Sequence, residues 1–339
     1  MMKANFGKNS ELYTLENKNG MKIAVSDFGA TLVKILVADK DGKERDVVLG
    51  YDDAEGYDKG DKFFGAIVGR IANRIGGASF ELNGKRYDLV KNDNDNNLHS
   101  GIDFYNKRVW EVKEAAEDHV TFALNSPHMD QGYPGNFKIE VTYTLTDDNE
   151  IKIHYNGTTD QDTIVNMTNH SYFNLNGEES GSVLSQKVWL DADAFTRANN
   201  FSIPTGEILP VEGTPMDFRV EKTLGRDIDN DYEALNFGHG YDHNWVLNGS
   251  GYRKVGTLTS DESGIKMEIF TDRPGVQIYT GNFIEDAVGK SGHVYADRSA
   301  VCFETQLFPD AVNKEMFESP VLKAGEVYES TTTYRFTRA

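Results

Sequence analysis

The chain has 339 residues, 38% of them hydrophobic and 26% charged, with a formal net charge of −19 at pH 7. That composition belongs to a globular protein with a substantial core, and its acidity disfavours nucleic acid, anionic membranes and strongly anionic substrates as partners. Cys302 is the only cysteine. The N-terminus has no signal-peptide layout and no stretch approaches about 20 apolar residues, so a cytoplasmic, disulfide-free protein is expected.

Period-two alternation dominates the chain. It begins at Lys22 to Val25. Short helices are expected near Asp53 to Asp58 and Gly65 to Ile71. Phe80-Glu81-Leu82 and Lys85 to Leu89 flank Asn83-Gly84, the signature of a tightly turned hairpin. Strands follow at Val109 to Val112 and Val120 to Leu124, then a long Gly/Pro loop over residues 126 to 136. Ile139, Val141, Tyr143 and Leu145 alternate with polar residues. After the turn Asp147-Asp148-Asn149-Glu150, Ile151, Ile153 and Tyr155 resume the pattern. Further strands are expected at Val188 to Leu190, Val255 to Leu258, Ile265 to Phe270, Val276 to Tyr279, Val301 to Glu304 and Tyr328 to Phe336. Many short strands, few helices and no linker or repeat predict one all-β domain, antiparallel, spanning residues 1–339.

The run Ile164 to Gly177 mixes asparagine and histidine with Val, Met, Tyr and Phe. A plain core strand has no place for so many amides, and a loop has no need of so many apolar residues; a half-buried element lining a polar pocket needs both. His170, at its centre, is the side chain suited to proton exchange near neutrality. Glu304 lies inside the apolar strand Val301 to Leu307, where alternation sets Cys302, Glu304 and Gln306 on one face and Val301, Phe303 and Thr305 on the other. It is either a solvent-facing residue at a sheet edge or a functional carboxylate, since proteins avoid burying unpaired ones. Asn73, Arg74, Asp242, Gln277, Tyr172 and Tyr279 add planar polar groups and aromatic rings, the residue types that grip sugars. His239 and His243 are four apart, but flanking glycines argue against the helix that zinc spacing requires, so no metal is expected. No phosphate-binding loop, dinucleotide fingerprint or Gly-x-Ser-x-Gly elbow is present.

Five ordered motifs resemble the galactose mutarotase, or aldose 1-epimerase, family: Asn73-Arg74-Ile75, Leu98-His99-Ser100-Gly101, Asn169 to Leu175, Asp242-His243-Asn244 and Phe303-Glu304-Thr305-Gln306. The resemblance implies an antiparallel β-supersandwich with an open sugar cleft. It implies an isomerase that interconverts the α and β anomers of free aldohexoses such as galactose and glucose. It casts Glu304 as general base, His170 as general acid and His99 as a second active-site histidine near the ring oxygen, with Asn73, Arg74, Asp242 and Gln277 holding hydroxyls. No cofactor is implied. The partner is a small aldose, and a monomer or homodimer suffices. In this chemistry His170 must be protonated while Glu304 is ionised, and the acidic surroundings are expected to keep the imidazole charged near pH 7. Three rivals remain: an epimerase of hexose 6-phosphates, using Arg70 or Arg74 on the phosphate; a glycosidase using Asp242 and Glu304; and a catalytically silent sugar-binding module.

Overall fold

Two hairpins show how the pattern becomes structure. In the computed structural model, which describes residues 1–339, Phe137–Leu145 pairs antiparallel with Glu150–Thr159, Val141 opposite Tyr155 and Tyr143 opposite Ile153. Their alternating apolar residues are all buried, and that one-sided burial fixes the register, because a slip by one residue would expose the whole set. In the smaller hairpin, Ser79–Leu82 with Lys85–Asp88, Asn83 and Gly84 both adopt left-handed backbone, φ 53° and 71°. Only a turn of that hand matches the twist of the strands, and Asn-Gly is the pair that tolerates it.

The strands gather into three main sheets. The largest has nine strands, in the order Glu111–Ala115, His119–Ser126, Phe137–Leu145, Glu150–Thr159, Val327–Arg338, Ile265–Thr271, Arg253–Thr259, Lys187–Leu190 and Lys222–Thr223. A six-stranded sheet runs Tyr172–Phe173, Val301–Gln306, Gly275–Tyr279, Asp242–Val246, Ala194–Ala198 and Pro204–Pro210. A five-stranded sheet is built from Met2–Gly7, Ser10–Glu16, Lys22–Ser26, Thr31–Ala38 and Glu44–Asp46. All the named strand pairs are antiparallel, and the α-helices are two single six-residue pieces, Ala54–Lys59 and Glu233–Gly238. No helix is long and apolar enough to cross a membrane.

The six-stranded sheet lies on the nine-stranded one through aromatic packing. Phe173 meets Tyr334 with ring centroids 4.8 Å apart, and the Tyr334 hydroxyl donates to the Phe303 carbonyl at 2.9 Å. Val301 and Phe303 thus point into the shared core, which turns Cys302, Glu304 and Gln306 to the opposite face. The apolar half of one strand fixes where its polar half must look.

Two sequence expectations fail here. Residues 65–71 form no helix: Ala66–Val68 is a strand paired with Thr168–His170. All three of its side chains are buried, so the run has apolar neighbours on both faces and shows no alternation that would distinguish a strand from a helix. The strand expected at Val109 to Val112 starts later, at Glu111. Val109 makes only an isolated bridge to Phe28, and the Trp110 N–H donates to the Asp27 carbonyl instead of joining the ladder.

Arg70 is also not what one rival reading required. It is 1% exposed, and its guanidinium donates to the carbonyls of Pro134, Gly135 and Ser126 and to the hydroxyls of Thr163 and Ser126, at 2.6–3.2 Å. The rings of Tyr133 and Phe137 stack beside it. A cation so engaged cannot reach a sugar phosphate. It clamps the Gly/Pro loop of residues 126–135 onto the strand pair that carries His170. Arg70→Met is expected to destabilise the fold by about 3 kcal/mol or more, because buried carbonyls lose charge-assisted donors. Urea unfolding measures this directly, and a change under about 1 kcal/mol would show that water replaces the clamp.

Candidate active site

The run Ile164 to Gly177 is where the sheets meet. Thr163–Ile164 pairs with Val321–Leu322, Thr168–His170 with Ala66–Val68, and Tyr172–Phe173 with Val301 and Cys302. Most of its amides staple backbone rather than line a pocket. Asn166 exchanges two hydrogen bonds with the backbone of Leu307. Asn169 donates to the Gly65 carbonyl, and Asn174 to the carbonyls of Gly181 and Ser299. Between these staples His170 and Tyr172 are held against a cleft of about 390 Å³.

The floor of the cleft is three adjacent strands. Gln277 lies opposite Glu304 on one side and Asn244 on the other, and Tyr279 lies opposite Asp242 and Cys302. All six residues of Val301–Gln306 are buried, so Glu304 sits on an interior strand and not on an exposed edge. His170 Nε2 lies 3.5 Å from Glu304 Oε1. Asn73, Arg74, His99, His170, Tyr172, Asp242, Tyr279 and Glu304 all line the cavity. Gln277 does not; it stands behind Asp242, donating Nε2–H to its Oδ1 at 2.8 Å. Buried Glu304 Oε2, which faces the cavity, has no partner within the protein, the condition of a polar atom that awaits a ligand's hydroxyl.

The other wall comes from turns. Asn73, His99 and Ser100 have left-handed backbone, φ 60°, 51° and 71°, unusual for residues with a Cβ and common where a site is held under constraint. The Ser100 hydroxyl locks this wall by accepting from the Ile71 N–H and donating to the Ile71 carbonyl. The Asn73 N–H donates to His99 Nδ1 at 3.1 Å. That bond fixes the tautomer: Nδ1 presents its lone pair, so the neutral ring carries its proton on Nε2. Arg74 Nε donates to Asp93 Oδ2 at 2.6 Å.

Burial governs the ionisable groups. Desolvation pushes His170 down to about 4, and desolvation, with help from His170 and Arg74, pushes His99 well below its usual range. Desolvation and the negative charge of Asp242 raise Glu304 well above the usual carboxylate range, against the pull of Arg74. The expectation that acidic surroundings keep His170 charged near pH 7 is therefore wrong. The surface charge is distant and screened, while burial acts directly on the ring.

Sequence reasoning missed several wall residues. Phe63, in left-handed backbone at φ 60°, packs tilted against His99 and stacks on His170, with centroids 4.8 and 6.0 Å away. Phe201, Phe237, His239 and Phe283 form an outer rim. None alternates with polar residues in a strand, so periodicity gave no signal. His239 caps the helix Glu233–Gly238 in left-handed backbone. His243 is buried in the core, its Nδ1 accepting from the Asp242 N–H. The two do not form a metal pair. His99, His170 and Glu304 bring ligand-type atoms within 4.8 Å of one another. The trio does not suit a cation, because His99 presents an N–H and not a lone pair.

A family model described as aldose 1-epimerase matches residues 11–335. A galactose mutarotase of Homo sapiens is 40% identical over 94% of this chain and 92% of its own length. An aldose 1-epimerase of Haemophilus influenzae is 39% identical over 96% and 95%. An aldose epimerase homologue from C. elegans, solved by crystallography, superposes with a TM-score of 0.91 at 32% identity, covering 97% of this chain and 99% of that one.

Burial of Glu304 has a consequence for stability. Its folded pKa lies above its unfolded one, so the folded state keeps this proton to higher pH. Below the unfolded value both states are protonated and nothing is lost. Above it the unfolded chain ionises first, and stability falls by up to about 1.4 kcal/mol per pH unit for one proton. Glu304→Gln is expected to be more stable than the parent at about pH 8 and to lose that advantage near pH 4. Urea midpoints at both values test it; a difference independent of pH would show that the carboxyl titrates normally.

Proposed function

The chain belongs to the aldose 1-epimerase family, and on that premise we propose that Glu304 and His170 carry the proton transfers by which it interconverts the α and β anomers of free aldoses. The observation that carries this assignment is the buried pair itself, an imidazole Nε2 3.5 Å from a carboxylate at the base of a polar cleft.

In the closed pyranose, Glu304 takes the proton from the C1 hydroxyl while His170 Nε2–H delivers one to the ring oxygen. The C1–O5 bond breaks and C1 becomes an aldehyde. Rotation about C1–C2 presents the other carbonyl face, and closure runs the same transfers in reverse. Through opening, the pair holds one proton in total: on His170 before, on Glu304 after. The open-chain state thus leaves a neutral imidazole beside a neutral carboxyl. Burial favours that same state, pushing His170 down and Glu304 up. The dry site therefore rests with its proton on Glu304, and that proton must pass to His170 when the sugar binds before the C1–O5 bond can break. His99, fixed as an Nε2–H donor, remains a neutral hydrogen-bond donor to the sugar. Asp242, with Oδ1 held by Gln277, serves as an acceptor for a sugar hydroxyl rather than as the acid of a glycosidase.

A free aldose fits better than its 6-phosphate. Arg70 is sealed in the core, and Arg74 is tied to Asp93. Lys62, the remaining cation of the cleft wall, is paired with Asp61 and Glu285. A phosphate dianion would find no free cation. We further read the chain as one domain, sufficient as a monomer or homodimer.

The test is polarimetric decay of fresh α-D-galactose. The protein is expected to accelerate it, and Glu304→Gln and His170→Asn are each expected to slow the catalysed rate at least about 100-fold while folding normally. Unchanged rates in both variants would overturn the assignment. Glucose is expected to be processed well and glucose 6-phosphate poorly; the reverse order would favour the phosphate-epimerase reading.

A further inference from the structure

The mechanism uses only Nε2 of His170. Nε2 faces Glu304 and the cavity, and gives and regains its proton there. For the ring to work this way, the other nitrogen, Nδ1, must keep its proton in both states: the imidazolium carries both protons, and the neutral ring left after donation carries only the one on Nδ1. A proton held permanently on a buried ring nitrogen needs an acceptor. In most histidines with such a duty that acceptor is a carboxylate or a backbone carbonyl.

Here the side-chain atom that meets Nδ1 is the sulfur of Cys302, at 3.5 Å. It lies on the strand of Glu304, two residues away and on the same face, so sulfur and carboxylate meet the two nitrogens of one ring. Both residues are buried, and Cys302 is not part of the cavity wall. Tyr172 stacks along the ring at 5.1 Å and Phe63 at 6.0 Å, which limits tilting. We propose that Cys302 is a positioning residue: its sulfur accepts the Nδ1 proton of His170 and so reserves Nε2 as the nitrogen that exchanges protons with the sugar. This rests on the acid role given to His170 above.

The choice of sulfur has a chemical sense. A thiol is a weak, uncharged acceptor. Burial and the neighbouring charges of Glu304 and Asp242 keep it from ionising. It orients the ring without pulling its basicity up, as a carboxylate would, and leaves the imidazolium ready to release its proton. The competing acceptor is the carbonyl of His170 itself, which accepts from the Gly65 N–H at 3.1 Å and has a second lone pair for the ring, a contact that favours the charged imidazole.

The experiment is nitrogen NMR of ring-labelled, substrate-free protein at neutral pH, alongside polarimetry of Cys302→Ala and Cys302→Ser. In the parent, Nδ1 of His170 is expected to be protonated and Nε2 bare. Cys302→Ala is expected to mix the tautomers and lower kcat about fivefold with KM unchanged, since Cys302 does not touch the sugar. Cys302→Ser, which keeps an acceptor, is expected to restore the parent tautomer and most of kcat; it also carries the test if the alanine variant folds poorly. A bare Nδ1 in the parent, or an unaltered ring spectrum in both variants, overturns the proposal. So does an altered tautomer with unaltered kcat. Because the tautomer is read without substrate, its outcome is separate from the mutarotation assay: if His170→Asn stays active, the functional reading falls even where the spectrum is as expected.

Discussion

The structure turns on one unfavourable act: a carboxylate is taken out of water and set in the middle of a β-sheet. Glu304 is 2% exposed, and one of its oxygens finds no partner in the protein. Nothing about packing requires a carboxylate there; Leu or Val would suit the strand better. Its surroundings make sense as a response to that cost. His170 Nε2 stands 3.5 Å from it, Arg74 moderates its charge, and the core face of the same strand, through Phe303 and Val301, anchors it. An enzyme that must take a weakly acidic hydroxyl proton gains from a base whose affinity for protons has been raised by burial.

Strands and turns divide the work. The sheet supplies Glu304, Asp242 and Tyr279 on neighbouring strands, where spacing is fixed by backbone hydrogen bonds. The left-handed turns supply Asn73 and His99, and their backbone conformation lets a main-chain N–H reach an imidazole. Strands set distances; turns set direction. The two histidines end in opposite tautomers by this division, His99 through an amide on a turn and His170 through a thiol on a strand.

How far this was readable from the sequence follows from the same division. Where one face is core and the other is not, alternation reports it, and the strands around Val141, Ile153 and Phe303 were legible, as was the face on which Glu304 stands. Where both faces are apolar the signal vanishes. Ala66–Val68 read as helix for that reason, and Thr31–Ala38, with only two of its eight residues half-buried before the exposed end, was not singled out. The roles proposed for Glu304, His170 and His99 came from the family resemblance; no periodicity could have suggested them. Two site details stayed hidden because they are three-dimensional. Gln277 supports Asp242 rather than lining the cleft, and Phe63 reaches both imidazoles from a loop. The direction of the His170 shift was also misjudged, since net charge is visible in a composition and burial is not.

The clamp made by Arg70 also bears on kinetics. It ties the 126–135 loop to the strand pair that carries His170, while Ser100 and Asn73 lock the opposite wall by backbone bonds. The cleft therefore arrives assembled, and a sugar need not order any segment of the chain to bind. Tight affinity is not required to hold such a site together, so a ring can enter, open, turn and depart on contacts that are individually weak. A short residence time is the natural companion of a catalyst whose substrate and product differ only at one carbon.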